Sequence, residues 1–129
     1  MKIGFVGLGN MATAIIGGLL REGTTLSSED DNATVITAAN IIGSAKTEAT
    51  RQKRAEQFGI AVTASNREVA EASDVLVLAV KPQFFPEVIA EIREVVNENT
   101  LVISIAAGLT LERIAALFNR DVTAMRLIR

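Results

Sequence analysis

The sequence predicts an α/β domain, spanning residues 1–129, in which helices cover both faces of a parallel sheet. Short apolar runs alternate along the chain with segments whose apolar residues recur at helical spacing. The run at residues 74–80 is the clearest strand, because consecutive apolar positions are typical of a strand buried on both faces. With 129 residues, 49% hydrophobic and 22% charged, the chain can bury one core but not two large ones.

The predicted strands are short apolar runs that end at turn-forming residues. The first run ends in glycines, and the run 74–80 ends at Lys81-Pro82, because proline cannot donate to a central ladder. Helices separate successive strands, which favours parallel pairing. The strands are predicted at residues 2–6, 41–44, 60–63, 74–80, 101–105 and 125–128.

The predicted helices have recognisable starts and ends. Gly59 ends the second helix, Ser65 and Glu68 form a capping box that opens the third, and Thr110 caps the last. The polar, acidic stretch 23–34 predicts a surface loop. The helices are predicted at residues 11–20, 47–58, 65–72, 85–96 and 110–118.

Composition excludes several classes of function. The chain has no cysteine and no histidine, which excludes disulfides, the usual zinc sites, cysteine nucleophiles and histidine general bases. A net charge of −2, without Trp or Tyr, is not typical of a nucleic-acid surface, and no apolar stretch is long enough to span a bilayer. The N-terminal residues do not resemble a signal peptide. We therefore expect a cytoplasmic protein with no metal site that binds neither nucleic acid nor membrane.

A glycine-rich motif carries the clearest functional signal. Residues 7–12, Gly-Leu-Gly-Asn-Met-Ala, follow the first predicted strand and open the first predicted helix. In a G-x-G-x-x-A sequence at this position, Gly7 allows the tight turn, Gly9 lets the backbone approach a pyrophosphate, and Ala12 lets helix and strand pack closely. The helix start then favours the phosphate charge. The motif predicts dinucleotide binding in a Rossmann-type, doubly wound sheet; a purely structural turn is the alternative.

The end of the second predicted strand favours NADP(H), with NAD(H) as the alternative. NAD-specific folds place a carboxylate there to hold the ribose 2′-hydroxyl. This chain has instead the hydroxyls of Ser44 and Thr47, and Lys46, with Arg51 one helical turn later, which could bind a 2′-phosphate. The nearby Glu48 opposes that interpretation, and the cations could equally be ordinary solvated charges.

The carboxyl ends of the other strands should line the same cleft. These ends are Asn66, residues 79–82 and residues 104–108. The small residues at 106–108 leave room for a flat ring, although tight packing of sheet and helix explains them equally well. Lys81 contacts cofactor or substrate in one interpretation and is a solvated loop lysine in the other.

Together these residues resemble the pyrroline-5-carboxylate reductases. The resemblance rests on residues 1–19, on 74–83, which end in Leu-Ala-Val-Lys-Pro-Gln, and on 102–110, Val-Ile-Ser-Ile-Ala-Ala-Gly-Leu-Thr. It implies an NAD(P)H-dependent oxidoreductase that reduces the small molecule 1-pyrroline-5-carboxylate to proline. It also implies cofactor contacts at Val6, Gly7, Leu8, Gly9, Asn10, Met11, Ser44, Ala45, Lys46, Thr47, Asn66, Ala79, Val80, Lys81, Pro82, Ile105, Ala106 and Ala107.

The chain departs from that family's pattern in two places and matches only its amino-terminal half. Members often have Asp or Ser where Ala45 stands, and the loop 24–35 is longer than usual. The resemblance implies a further carboxyl-terminal helical domain that forms a dimer and supplies much of the substrate site. We therefore expect the 129-residue chain alone to be inactive, and we assign no catalytic residue. Another small NADP oxidoreductase, for example one that reduces a deazaflavin, and a non-catalytic nucleotide-binding module are the alternatives.

Overall fold

The computed structural model describes residues 1–21, 25–27, 33–97, 99–105, 111–118 and 123–126. Its strands are β1 (Ile3–Val6), β2 (Thr25–Ser27), β3 (Ala33–Val35), β4 (Ile41–Ser44), β5 (Ala61–Thr63), β6 (Val75–Leu78), β7 (Leu101–Ser104) and β8 (Thr123–Arg126). Its α-helices are α1 (Asn10–Arg21), α2 (Glu48–Phe58), α3 (Asn66–Ala72), α4 (Phe85–Ile92) and α5 (Leu111–Phe118).

A six-stranded sheet forms the centre of the fold. Its order is β5-β4-β1-β6-β7-β8, and every neighbouring pair is parallel. The chain leaves β1 for β4 on one side and later returns to β6 on the other, so β1 lies where the direction of winding reverses. The predicted α/β fold with a doubly wound parallel sheet is confirmed.

Two apolar cores lie on opposite faces of this sheet, as the alternation of side chains along a strand requires. Phe5 of β1 and Val77 of β6 belong to the core that α1 covers, whereas Val6 and Leu78 belong to the core that α3, α4 and α5 cover. Helices thus shield both faces, which explains why the central strands are apolar at consecutive positions.

Gly4 in β1 lets α3 pack closely against the sheet. A Cβ added there would lie 1.9 Å from Ser73 Oγ and 2.7 Å from Val69 Cγ1. We expect Gly4→Ala to lower the free energy of unfolding by about 1–3 kcal/mol or more, because overpacking a close contact forces the backbone apart. Urea denaturation measures it, with Gly18→Ala as the control, since a Cβ at Gly18 meets nothing within 4 Å. An unchanged midpoint for Gly4→Ala would contradict this close packing.

The structure corrects the prediction of a surface loop at residues 23–34. β2 and most of β3 lie in that stretch and pair antiparallel, with Thr25 opposite Val35 and Ser27 opposite Ala33. The two short segments hold β-branched residues, but the acidic residues between them dominate the pattern. The last strand is also displaced, since β8 ends at Arg126 and residues 127–129 lie outside the described part of the chain.

Helix ends follow the predicted signals, with three differences. Gly59 ends α2 with φ +71°, and Thr47 is the N-cap of α2 rather than part of it. The capping box of α3 is half formed: Ser65 Oγ accepts from Glu68 N, but the Glu68 carboxylate accepts from Thr63 Oγ1 at 2.6 Å. Thr63 Oγ1 in turn satisfies Ser65 N. α4 ends earlier than predicted, at residue 92, and the cap expected at residue 110 lies outside the described residues.

Candidate functional site

A cleft of about 620 Å³ opens at the carboxyl ends of β1, β4 and β6. Because β4 and β6 both pair with β1, the loops that follow them flank the turn after β1. Open α/β sheets bind their ligands at such a reversal point. The position of the cleft therefore follows from the strand order.

The glycine-rich turn forms the floor of the cleft. Gly7 has φ +100°, a left-handed conformation that glycine adopts readily, and its N–H donates to Ser44 O at 3.1 Å. A Cβ added at Gly9 would meet nothing within 4 Å, so the fold itself does not require glycine there. Ala12, in the first turn of α1, is fully buried, as the motif predicts. The open space above Gly9 is what a backbone that approaches a pyrophosphate needs.

An arginine of α2 holds this turn in place. Arg54 Nε donates to Leu8 O at 3.1 Å, and its guanidinium also donates to Gln57. Leu8 is 2% exposed and packs where a Cβ on Gly43 would clash with it. Leu8 therefore fixes the turn twice, through the hydrogen bond to its carbonyl and through the packing of its side chain. The sequence patterns gave no sign of Arg54, because the bond joins residues far apart in the chain.

The loop between β4 and α2 forms one wall. Ala45 N donates to Thr63 O at 3.2 Å, and Thr47 Oγ1 caps α2 by accepting from Thr50 N. Arg51 Nη1 donates to Ala45 O at 2.8 Å and to Lys46 O at 3.2 Å. Arg51 thus stabilises the backbone of this loop and does not line the cleft. The sequence pattern had suggested that Arg51 contacts the phosphate directly.

Residues from β4, α3 and α4 form a hydrogen-bonded chain at one side of the cleft. Ser44 Oγ donates to Asn66 Oδ1 at 2.6 Å, and Asn66 Nδ2 donates to Glu91 Oε2 at 3.0 Å. Ser44 is 1% exposed. The chain fixes the orientation of the Asn66 amide, and Ser44 already has a partner in it.

Most of the predicted cofactor-binding residues come together at this cleft. Those that line it are Gly7, Leu8, Gly9, Asn10, Met11, Ser44, Ala45, Lys46, Thr47, Asn66, Ala79, Val80 and Lys81. They come from loops that are distant in sequence but adjacent at one edge of the sheet.

Some of the predicted residues lie elsewhere. Val6 is fully buried in the core beneath α3 and α4, so its side chain has no surface to offer a ligand. Ile105 packs against the core beneath α1, and Pro82 is exposed, but neither lines the cleft. Ala106 and Ala107 lie outside the described residues.

Sequence reasoning missed the wall contributed by α4 and the turn before it. Phe84 and Val88 are four residues apart, as are Glu87 and Glu91, so both pairs recur at helical spacing along that segment. That spacing was available in the sequence, but nothing local shows that this face meets the loop after β4. The cleft residues missed are Thr50, Ala64, Phe84, Glu87, Val88 and Glu91.

The described residues contain neither a cluster of metal-ligating side chains nor a membrane-spanning helix. No three His, Cys, Asp or Glu side chains within them converge as metal ligands would. None of the helices in this part of the chain has the length and apolar character needed to cross a membrane.

The strand order, the helices on both faces and the glycine-rich turn at the reversal point define a Rossmann-type domain, the class that binds dinucleotides. The chain belongs to the family described as NADP oxidoreductase, coenzyme F420-dependent, whose family model matches residues 2–108. It is thus a member of an oxidoreductase family that uses NADP.

Among known proteins, this chain is similar to pyrroline-5-carboxylate reductases. It is 38% identical to the one from Escherichia coli (strain K12) over 124 residues, covering 93% of this chain and 40% of that protein. It is 33% identical to pyrroline-5-carboxylate reductase 3 of Danio rerio over 128 residues, covering 99% of this chain and 40% of that protein.

A solved structure shows the same likeness. The pyrroline-5-carboxylate reductase from Coxiella burnetii superposes with a TM-score of 0.83 at 30% identity, covering 97% of this chain and 42% of that one. The chain therefore spans about two fifths of the length of the relatives that it matches.

Proposed function

We propose that this chain is the NADPH-binding domain of a pyrroline-5-carboxylate reductase. The observation that carries the proposal is the glycine-rich turn at the reversal point of the sheet, in a chain that is 38% identical to the E. coli enzyme over 93% of its length. In this proposal NADPH supplies a hydride to the carbon of the substrate's C=N bond, and the product is L-proline.

The shape of the cleft supports a bound pyrophosphate. The backbone at Gly9 is open to the cleft, and α1 begins at the next residue with no acidic side chain in its first turn. The positive end of the helix dipole therefore acts on any anion placed above Gly9. Arg54 donates a hydrogen bond to Leu8 O, beside the site proposed for the anion. The negative end of that carbonyl dipole is therefore bonded to a cation.

The walls of the cleft support an adenosine with a 2′-phosphate. No carboxylate stands at Ala45, and Lys46 is an exposed cation in the wall formed by the loop after β4. Glu87 and Glu91 of α4 line the other wall of the cleft. Preference for NADPH over NADH in this proposal therefore depends on Lys46, with Arg51 adding positive charge behind the loop.

The chain has no histidine that could act as a general acid in the reaction. A protonated imine needs no strong general acid, so the protein's role in this proposal is to bind and orient. The nicotinamide would lie towards the carboxyl ends of β6 and β7, near Val80 and Lys81, with Ala106 and Ala107 as further contacts predicted from the resemblance. We infer no catalytic residue.

The substrate side of the site is a separate part of the proposal. The relatives are more than twice as long as this chain, and we infer that a further helical domain supplies their substrate contacts and a homodimer interface. We also propose, from the sequence alone, that the protein is located in the cytoplasm.

A second candidate follows from the description of the matching family, which names coenzyme F420. A deazaflavin would then accept or donate the hydride in place of the pyrroline. Oxidation of NADPH by the full product of the gene, assayed with 1-pyrroline-5-carboxylate and with a deazaflavin, separates the two. Turnover with the pyrroline supports our proposal. Turnover with the deazaflavin only would contradict it and support the second candidate.

The 129-residue chain alone is expected to bind NADPH without reducing 1-pyrroline-5-carboxylate at an enzymatic rate. Hydride transfer needs donor and acceptor held about 3–3.5 Å apart, and a cleft that binds only the cofactor cannot enforce that distance. The measurement is NADPH oxidation at saturating substrate, after binding of NADPH has been established by calorimetry. A rate of ~1 per second or faster, within the ordinary range of enzymes, would show that this chain holds the substrate by itself.

A further inference from the structure

We propose that Phe84 positions Lys46 and thereby sets the preference for a ligand with a 2′-phosphate. The inference rests on the proposed binding of NADPH and goes beyond it by assigning selectivity to a residue that does not touch the phosphate. Lys46 Nζ lies over the Phe84 ring, 5.0 Å from the centroid, within the range of a cation–π contact. Both residues line the cleft, and they come from the loops on either side of the glycine-rich turn.

The backbone is fixed on both sides of this contact. On one side, Arg51 donates to the carbonyls of Ala45 and Lys46. On the other, Phe85 is fully buried in the core, and Phe84 N donates to Lys81 O at 2.9 Å. Phe84, a residue that is 38% exposed, is therefore held at the rim of the cleft. Because the backbone is held on both sides, the ring can restrict only the conformation of the Lys46 side chain.

The chemistry of the contact leaves the ammonium able to bind an anion. A cation–π contact uses the face of a ring and consumes no lone pair, while the ammonium carries several N–H donors. Lys46 can thus stay over the ring and still donate to a phosphate oxygen. A free lysine side chain has a large rotamer entropy, so confinement by the ring reduces what is lost when the phosphate binds. Glu87 also lines the cleft and carries the opposite charge to the ammonium, which makes a fixed position of Lys46 more important.

The alternative role for an exposed ring in a nucleotide cleft is to stack on the adenine. Stacking would affect every adenosine ligand equally, whereas positioning of Lys46 affects only ligands with a 2′-phosphate. We favour positioning because the ammonium already covers one face of the ring.

The test compares adenosine 2′,5′-bisphosphate with 5′-AMP, and NADPH with NADH, by calorimetric titration of the folded chain. Phe84→Leu keeps an apolar side chain but removes the ring, and it is expected to weaken the two 2′-phosphorylated ligands about two- to five-fold and to leave the other two unchanged. Phe84→Trp, which offers a stronger cation–π partner, should keep or increase the preference. Melting temperatures of the unliganded variants show that each is folded.

A double-mutant cycle with Lys46→Met completes the experiment, since methionine keeps the apolar stem and removes the charge. In the Lys46→Met background, Phe84→Leu is expected to have no further effect on NADPH. An equal loss for all four ligands would overturn the proposal in favour of stacking, and a gain of NADPH affinity would show that the ring holds Lys46 away from the ligand. If wild type binds neither NADPH nor NADH, the proposed function itself fails, and this inference with it.

Discussion

Replacement of Gly9 by valine is expected to abolish NADPH binding and leave the melting temperature of the unliganded domain nearly unchanged. A Cβ at this position meets nothing within 4 Å in the fold, and Gly9 does not have a positive φ, so the backbone accepts a larger residue. The same atoms would occupy the space in which a pyrophosphate meets the backbone. Loss of two charge-assisted contacts to phosphate corresponds to roughly a hundredfold or more in Kd.

The control for this variant is Gly18→Ala in α1, the helix that follows Gly9. A Cβ at Gly18 also meets nothing within 4 Å, and Gly18 does not line the cleft. That variant should raise the free energy of unfolding by about 0.5–1 kcal/mol, because alanine is favoured over glycine within a helix, and should leave the NADPH affinity as it was. If Gly9→Val keeps a normal ligand-induced shift in melting temperature, the phosphate site lies elsewhere.

Lys46→Ala is expected to weaken NADPH binding roughly tenfold or more while leaving NADH unchanged. The expectation rests on the loop after β4, where Ala45 offers no carboxylate and Lys46 is an exposed cation that lines the cleft. Only the 2′-phosphate distinguishes the two cofactors, so an effect confined to NADPH locates that phosphate near Lys46. Calorimetric titration with both cofactors measures it.

Lys53→Ala is the matched control, because Lys53 is an exposed lysine of α2 that does not line the cleft. It changes the net charge equally, so any loss it causes reports long-range electrostatics. The difference between NADPH and NADH in the wild type should also shrink as ionic strength rises, since exposed charges are screened. Equal affinity of the wild type for the two cofactors would show that Lys46 and its loop do not select a 2′-phosphate.

Local patterns predicted the parts of this fold that depend on local physics. Consecutive apolar residues predicted β6, since a strand covered on both faces has no polar side. The spacing of Gly7, Gly9 and Ala12 predicted a tight turn, a backbone that a pyrophosphate can approach and close packing of helix and strand. In the structure Gly7 has a positive φ, a Cβ at Gly9 would meet nothing within 4 Å, and Ala12 is fully buried. Parallel strand order then placed residues from distant loops around one cleft.

The remaining features depend on contacts that no local pattern reveals. Arg54 bonds to Leu8 O across the fold, and Glu91 reaches Asn66 from a different helix. Arg51 has the charge expected of a phosphate ligand, yet its guanidinium turns back to the carbonyls of the loop before its helix. Charge and spacing suggest which residues are near a site, but only packing decides which of them face it.

The central claim is that the cleft above the glycine-rich turn binds NADPH. Titration of ¹⁵N-labelled protein with NADPH, followed by two-dimensional NMR, tests it most directly. We expect the largest amide shift changes at Gly7, Gly9, Lys46 and Val80, in saturable binding to one site that Gly9→Val removes. No saturable change, or changes concentrated in the hairpin of β2 and β3 on residues that do not line the cleft, would contradict it.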